Sequence, residues 1–170
     1  MNLRTIGGIL AGVSALMLSL GAISKSWYSV KEGDESYSVG PLWKEACEGS
    51  RCESEMTMKH TRGPEETWAA AGLACAGLAS VAAIIFLIFG IIAFTGGGGK
   101  GAGITGIVFA MLSNVAAGAF VATKPPGLAE LTTSTGVYLS SLGGMLGIAF
   151  GIVMIIAAKT AAAPPVAPPG

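Results

Sequence analysis

Charge is what this chain has least of. Only 12% of its 170 residues are charged, about half the share of a typical soluble domain. Residues 5–24, 67–99, 101–123 and 131–158 contain no Asp, Glu, Lys, Arg or His at all. The relay of ionisable groups on which proton-coupled transport depends is therefore missing from these runs. Net charge is zero, so no basic surplus exists to neutralise phosphates, and a nucleic-acid partner is not expected. No Ser, Thr or Cys has a recognisable base beside it in sequence. The chain is thus expected to be no enzyme and to hold no cofactor.

Apolar residues and glycine are abundant, at 52% and 26 residues. Each charge-free run can cross a hydrocarbon core, which takes about 20 residues of helix. Backbone amides and carbonyls find no water there, so each crossing is expected to be helical. The expected fold is membrane all-α: a left-handed four-helix transmembrane bundle with a small, disulfide-linked, extracytoplasmic antiparallel β-sheet. One domain covers 1–159, with spans at about 5–24, 67–94, 102–123 and 137–158 and a polar loop at 25–66. Residues 160–170, rich in alanine and proline, lack a hydrophobic face and are expected to be a disordered tail. Arg4 and the small-residue end Ala22-Ile23-Ser24 also resemble a secretory signal peptide. The length of the first run and its glycine spacing favour an uncleaved span instead.

Orientation meets conflicting signals. Arg4, Lys100 and Lys159 fall on the terminal side, whereas most Lys and Arg fall opposite, against a cytoplasmic N-terminus. Cys47 and Cys52 in the large loop suit an oxidising compartment. They place the termini in the cytoplasm and the protein in the cell membrane.

The 25–66 loop carries the chain's distinctive chemistry. Two short aromatic and β-branched runs, Ser26 to Val30 and Ser36 to Val39, flank Glu32-Gly33-Asp34 and predict a β-hairpin. Cys47 and Cys52 bracket Glu48-Gly49-Ser50-Arg51, and a four-residue hairpin loop would set them opposite each other, within disulfide reach. Two unpaired thiols on a solvated connector are one alternative. A redox-active pair, in a membrane thiol oxidoreductase, is another, although four intervening residues are not the two of Cys-X-X-Cys. Cys75, inside the second run, is expected to be a small buried apolar residue.

Trp27, then Gly40-Pro41-Leu42-Trp43, then Cys47 and Cys52 resemble the claudin signature of Trp, Gly-Leu-Trp, Cys and Cys. Pro41 stands within the Gly-Leu-Trp run here. The likeness extends to the superfamily of claudins and peripheral myelin proteins. It implies four spans, cytoplasmic termini and a small extracellular sheet, and thus supports the uncleaved span. The stretch from Thr67 to Leu73 is similar to that family's opening of span two, and Gly136-Val137-Tyr138-Leu139 to its strand-like entry into span four. The resemblance also implies a tryptophan packed between sheet and bundle. Trp43 is expected in that role, while Trp27 and Trp68 suit either packing or an interfacial belt.

Helices in lipid associate by close backbone approach and polar contacts. Gly8 with Gly12, and Gly143, Gly147 and Gly151, repeat every four residues and so share helical stripes. Gly72 with Ala76, and Gly106 with Ala110, extend the pattern, and internal packing is the expected use. Asn114 is expected to turn inward and form an interhelical hydrogen bond. Two other motifs fail. The run Gly96 to Gly99 before Lys100 has the wrong register for a phosphate loop. His60 with Glu53 and Glu55 is one histidine among solvated acids, so no metal is expected. The expected function is non-catalytic and structural: a claudin-like protein that meets another copy, or another integral membrane protein, through its sheet. An auxiliary subunit of a channel or larger complex is the alternative.

Overall fold

The computed structural model describes residues 2–59 and 62–162. In chain order it holds α1 (Leu3–Ile23), β1 (Tyr28–Glu32), β2 (Glu35–Val39), β3 (Trp43–Glu48), β4 (Arg51–Met56), α2 (Pro64–Phe94), α3 (Lys100–Ala122), β5 (Thr132–Thr133) and α4 (Thr135–Ala161). Among the described residues, four helices are long and apolar enough to cross a membrane. The chain is a four-helix membrane protein with a small antiparallel sheet.

Helix boundaries depart from those expected because charge-free length marks the lipid core, not the helix. α2 begins at Pro64, three residues early. Proline fits the first helical position, and Glu65 and Glu66 follow at the positive end of the helix. α4 begins at Thr135 and continues to Ala161, so the expected tail is helical at its start. Residues 163–170 of that tail, and His60, lie outside the described residues.

Small residues set the helix spacing. Leu18, Phe86, Phe150 and Met154 form the bundle core with a shell of alanines. A Cβ at Gly143 would press on Leu18 of α1, and one at Gly147 would collide with the Phe86 ring of α2. At Gly103 a Cβ would come within 2.6 Å of the Gly151 carbonyl oxygen, so α3 and α4 meet almost backbone to backbone. Gly8 likewise leaves room for the Phe94 ring. Two expectations fail. Gly12 is exposed and a Cβ there would meet nothing within 4 Å. Asn114 is half-buried and fills the notch left by Gly144, with no side-chain hydrogen bond among the described residues. The interhelical bond comes from Ser14, whose Oγ donates to the Gly143 carbonyl at 2.7 Å.

The sheet runs in the order β4-β3-β2-β1-β5, with every pair antiparallel. Both hairpins turn on two residues. Gly33 (φ 59°) and Gly49 (φ 58°) take the positive φ that such turns demand at their first central position. The cysteine hairpin is tighter than expected, because Glu48 and Arg51 still pair and only Gly49 and Ser50 remain in the loop. β5 was not anticipated. The strand-like entry expected at Gly136 to Leu139 is helical, and the strand lies just before it. There Thr132 and Thr133 pair with Ser29 and Tyr28.

Candidate functional site

Where the sheet meets the bundle, four aromatic rings gather in one buried cluster: Trp27, Tyr28, Trp68 and Phe120. Trp27 follows the end of α1 and is fully buried. Its Nε1 donates to the Gly21 carbonyl at 2.6 Å, and its ring meets Phe120 edge-on at 5.4 Å. Phe120 stacks on Trp68 at 4.8 Å, and Trp68 Nε1 donates to the Phe120 carbonyl at 2.9 Å. Tyr28 leans on both rings, and burial pushes its phenol pKa up to about 12. Lys124 sits 5.3 Å from the Tyr28 ring centre and donates to the Leu131 carbonyl at 2.9 Å. A cation over an aromatic face adds about 0.5–1 kcal/mol where exposed and more where dry. This cluster joins β1 to α2 and α3, so Trp27 and Trp68 are packing residues.

Gly40-Pro41-Leu42 forms the second attachment. Gly40 lies so close to the Ser24 carbonyl that no Cβ fits. Pro41 is buried with its backbone against Gly72 of α2, and Leu42 packs on the bundle core. Thr57 locks the turn from the other side: its Oγ1 donates to the Gly40 carbonyl and its amide to that of Leu42, each at 2.9 Å. Trp43 departs from its expected packing role and is 39% exposed. The register explains why. Lys44 pairs with Val39, which points inward, so Trp43 must point to the opposite face, where it pairs with Met56.

The two faces of the sheet differ in chemistry. The inward face carries Tyr28, Val30, Tyr37 and Val39 near the bundle and becomes acidic towards the hairpin tips. There Glu32, Glu35, Glu48 and Glu53 surround Arg51 around a concavity of about 620 Å³ floored by Tyr37 and Ala46. Burial pushes the Tyr37 phenol up as well. The outward face carries the Cys47–Cys52 disulfide, with Cα atoms 4.1 Å apart. Below it Lys25 Nζ reaches Glu45 at 2.6 Å and Ser54 at 2.9 Å. The hydrogen bond from Lys25 holds the Glu45 carboxyl below its ordinary range. Partly exposed pairs of this kind contribute about 0–1 kcal/mol. One sheet edge is the two-residue β5. The other is β4, exposed along Arg51 to Ser54 with its outer backbone groups uncovered by any described strand.

No group of three His, Cys, Asp or Glu able to hold a metal exists among the described residues. Gly96 to Gly99 is the turn between α2 and α3, with Gly96 and Gly98 at positive φ and Arg4 donating to the Gly96 carbonyl. Cys75 is buried. Sequence reasoning missed Phe120, Tyr28 and Thr57 as parts of the joint. Phe120 and Tyr28 are large aromatics at the charged end of a span, which was a usable signal. Thr57 carried none. No protein-family model matches the chain, and no curated protein matches it.

Proposed function

We propose that this chain is a distant claudin-like membrane protein that acts without catalysis, by presenting its sheet to another copy or to another integral membrane protein. The open β4 edge carries this reading. An edge strand offers unpaired amides and carbonyls to an incoming strand, and this one stands on a sheet bonded to the bundle through Trp27 and Tyr28 and braced by a disulfide. A rigid edge loses little entropy on pairing. The disulfide supports an oxidising compartment for the sheet, hence a cell-membrane protein with both termini in the cytoplasm. Cross-linking in native membranes tests the proposal: oligomers or a defined partner should be recovered through the sheet. A strictly monomeric, partnerless protein overturns it.

A second reading, an auxiliary subunit docked sideways on a channel or larger complex, draws support from α3. That helix buries the smallest share of the four, 28% of its apolar window, and Val115 on it is 68% exposed. Co-purification in mild detergent without cross-linker would favour this second reading.

A further inference from the structure

The level of the sheet's base relative to the lipid can be read from the helices. α1 has 21 residues, about 31 Å at 1.5 Å per residue, which matches a hydrocarbon core of about 30 Å. α2 has 31, ten more. At the end away from the sheet the two helices finish within about one to two turns of each other, where Gly8 abuts the Phe94 ring and Arg4 bonds the Gly96 carbonyl. The excess of α2, about 15 Å, therefore projects on the sheet side. The lipid boundary then falls near Gly72 on α2 and Ser24 on α1. Those two residues are the ones the Gly40-Pro41-Leu42 turn packs against. Trp43, the next residue, thus stands at the boundary between hydrocarbon and headgroups.

On the outward face Trp43 is 39% exposed and its cross-strand partner Met56 52%. All the remaining surface of this face is polar or disulfide-bonded. We propose that Trp43 and Met56 form a foot that rests in the interfacial layer of the bilayer, a lipid-contact surface separate from the spans. Continuity with the lipid-facing side of α1 supports it. Leu16, Leu20 and Ile23 make an exposed apolar strip there, and Lys25, two residues on, lies against Glu45 and Ser54 directly above the Trp43–Met56 pair. Indole suits this layer, with an apolar body in the acyl region and an N–H among headgroups. The sheet is thereby held by protein on its inward face and by lipid on its outward one. The inference depends on the spans, and neither on the side of the membrane nor on the proposed partner.

The test uses the full-length protein in phosphatidylcholine vesicles whose acyl chains carry bromine either near the ester or near the methyl end. Bromine near the ester should quench a component of the tryptophan emission that Trp43→Phe lacks, and bromine near the methyl end should quench it less. Trp27 and Trp68 are buried and remain in both proteins as the reference. Aqueous iodide reaching that component, with no quenching by lipid, overturns the proposal. Protection from both quenchers also overturns it, because a protein surface then covers the foot. Should Trp43→Phe fold poorly, Met56→Cys carrying a nitroxide gives an independent answer. Higher accessibility to oxygen than to a water-soluble nickel chelate is expected, and the reverse refutes the foot.

Discussion

In the bundle, a Cβ added at Gly147 would strike the Phe86 ring, whereas in the sheet one added at Gly33 or Gly49 would meet open space. The same residue type serves opposite needs in the two regions. Helices in lipid gain nothing from hiding apolar surface from lipid, so their contacts come from removing side chains and letting backbones approach. The sheet stands outside the four spans and has little core of its own. Gly33 and Gly49 supply positive φ at its turns, and its order comes from register, a disulfide and the aromatic joint. A change that crowds the bundle should therefore separate helices, and one that frees the sheet should leave them assembled.

The joint is where the two regions depend on each other, so the largest effect is expected there. Trp27→Ala removes a fully buried indole and its bond to the Gly21 carbonyl; truncations of this kind cost about 3–5 kcal/mol. Unfolding titrations in mixed micelles should show that loss, with hydrogen exchange rising in β1 and β2 before α1. Tyr28 allows the same joint to be loosened by pH. Its folded pKa of about 12 lies above the ordinary 10, so the neutral phenol is the favoured form. The stability it contributes, on the order of 2 kcal/mol, is complete below pH 10 and lost as pH rises towards 12. The tyrosinate absorbance that Tyr28→Phe lacks should appear in step with loss of structure; its appearance near 10 without unfolding would refute it.

The bundle's half of the comparison is tested by paired glycines. Gly147→Ala should destabilise by about 1–3 kcal/mol, the usual cost of overpacking, because Phe86 and the Ala110 methyl already fill the site. Gly12→Ala, on an open face, should stay within about 0.5 kcal/mol. Equal effects would mean that glycine spacing, not contact, governs the bundle. In the sheet, replacing Cys47 and Cys52 by serine should cost about 2 kcal/mol, as closure of so short a loop predicts. Faster exchange should stay confined to β3 and β4. Helices loosened by the same change would dissolve the distinction.

The spans, both hairpins and the cysteine pair were legible because each rests on a local pattern: charge-free length, alternation or loop spacing. The departures share one cause, which is that a side chain's direction is set by partners distant in sequence. The stripe Gly143, Gly147 and Gly151 faces inward along its whole length, while Gly12, with the same spacing from Gly8, faces out. Trp43 stood in a motif that implied burial, yet the pairing of Lys44 with Val39 turned it outward. β5 is two threonines that acquire strand character only from Tyr28 and Ser29, more than a hundred residues earlier. A pair of ordinary threonines gives no such signal.

Polar contacts within the bundle provide the smallest and most discriminating test. Asn114, the more polar group, drew attention in the sequence, but it fills a notch without a side-chain hydrogen bond among the described residues. Ser14 is buried and donates 2.7 Å to the Gly143 carbonyl. Gly143 permits that bond by exposing its carbonyl to α1, so close packing and hydrogen bonding are here one feature. Ser14→Ala should cost about 0.6 kcal/mol, the mean for interhelical bonds in lipid, and no more than about 1.7, and Asn114→Ala should act only through lost volume. A double variant of Ser14→Ala with Gly143→Ala should show strong coupling, since the methyl at Gly143 would press on Leu18 and move the acceptor away. Additive effects would mean that the serine contributes by its size, and that in this bundle packing works without hydrogen bonding.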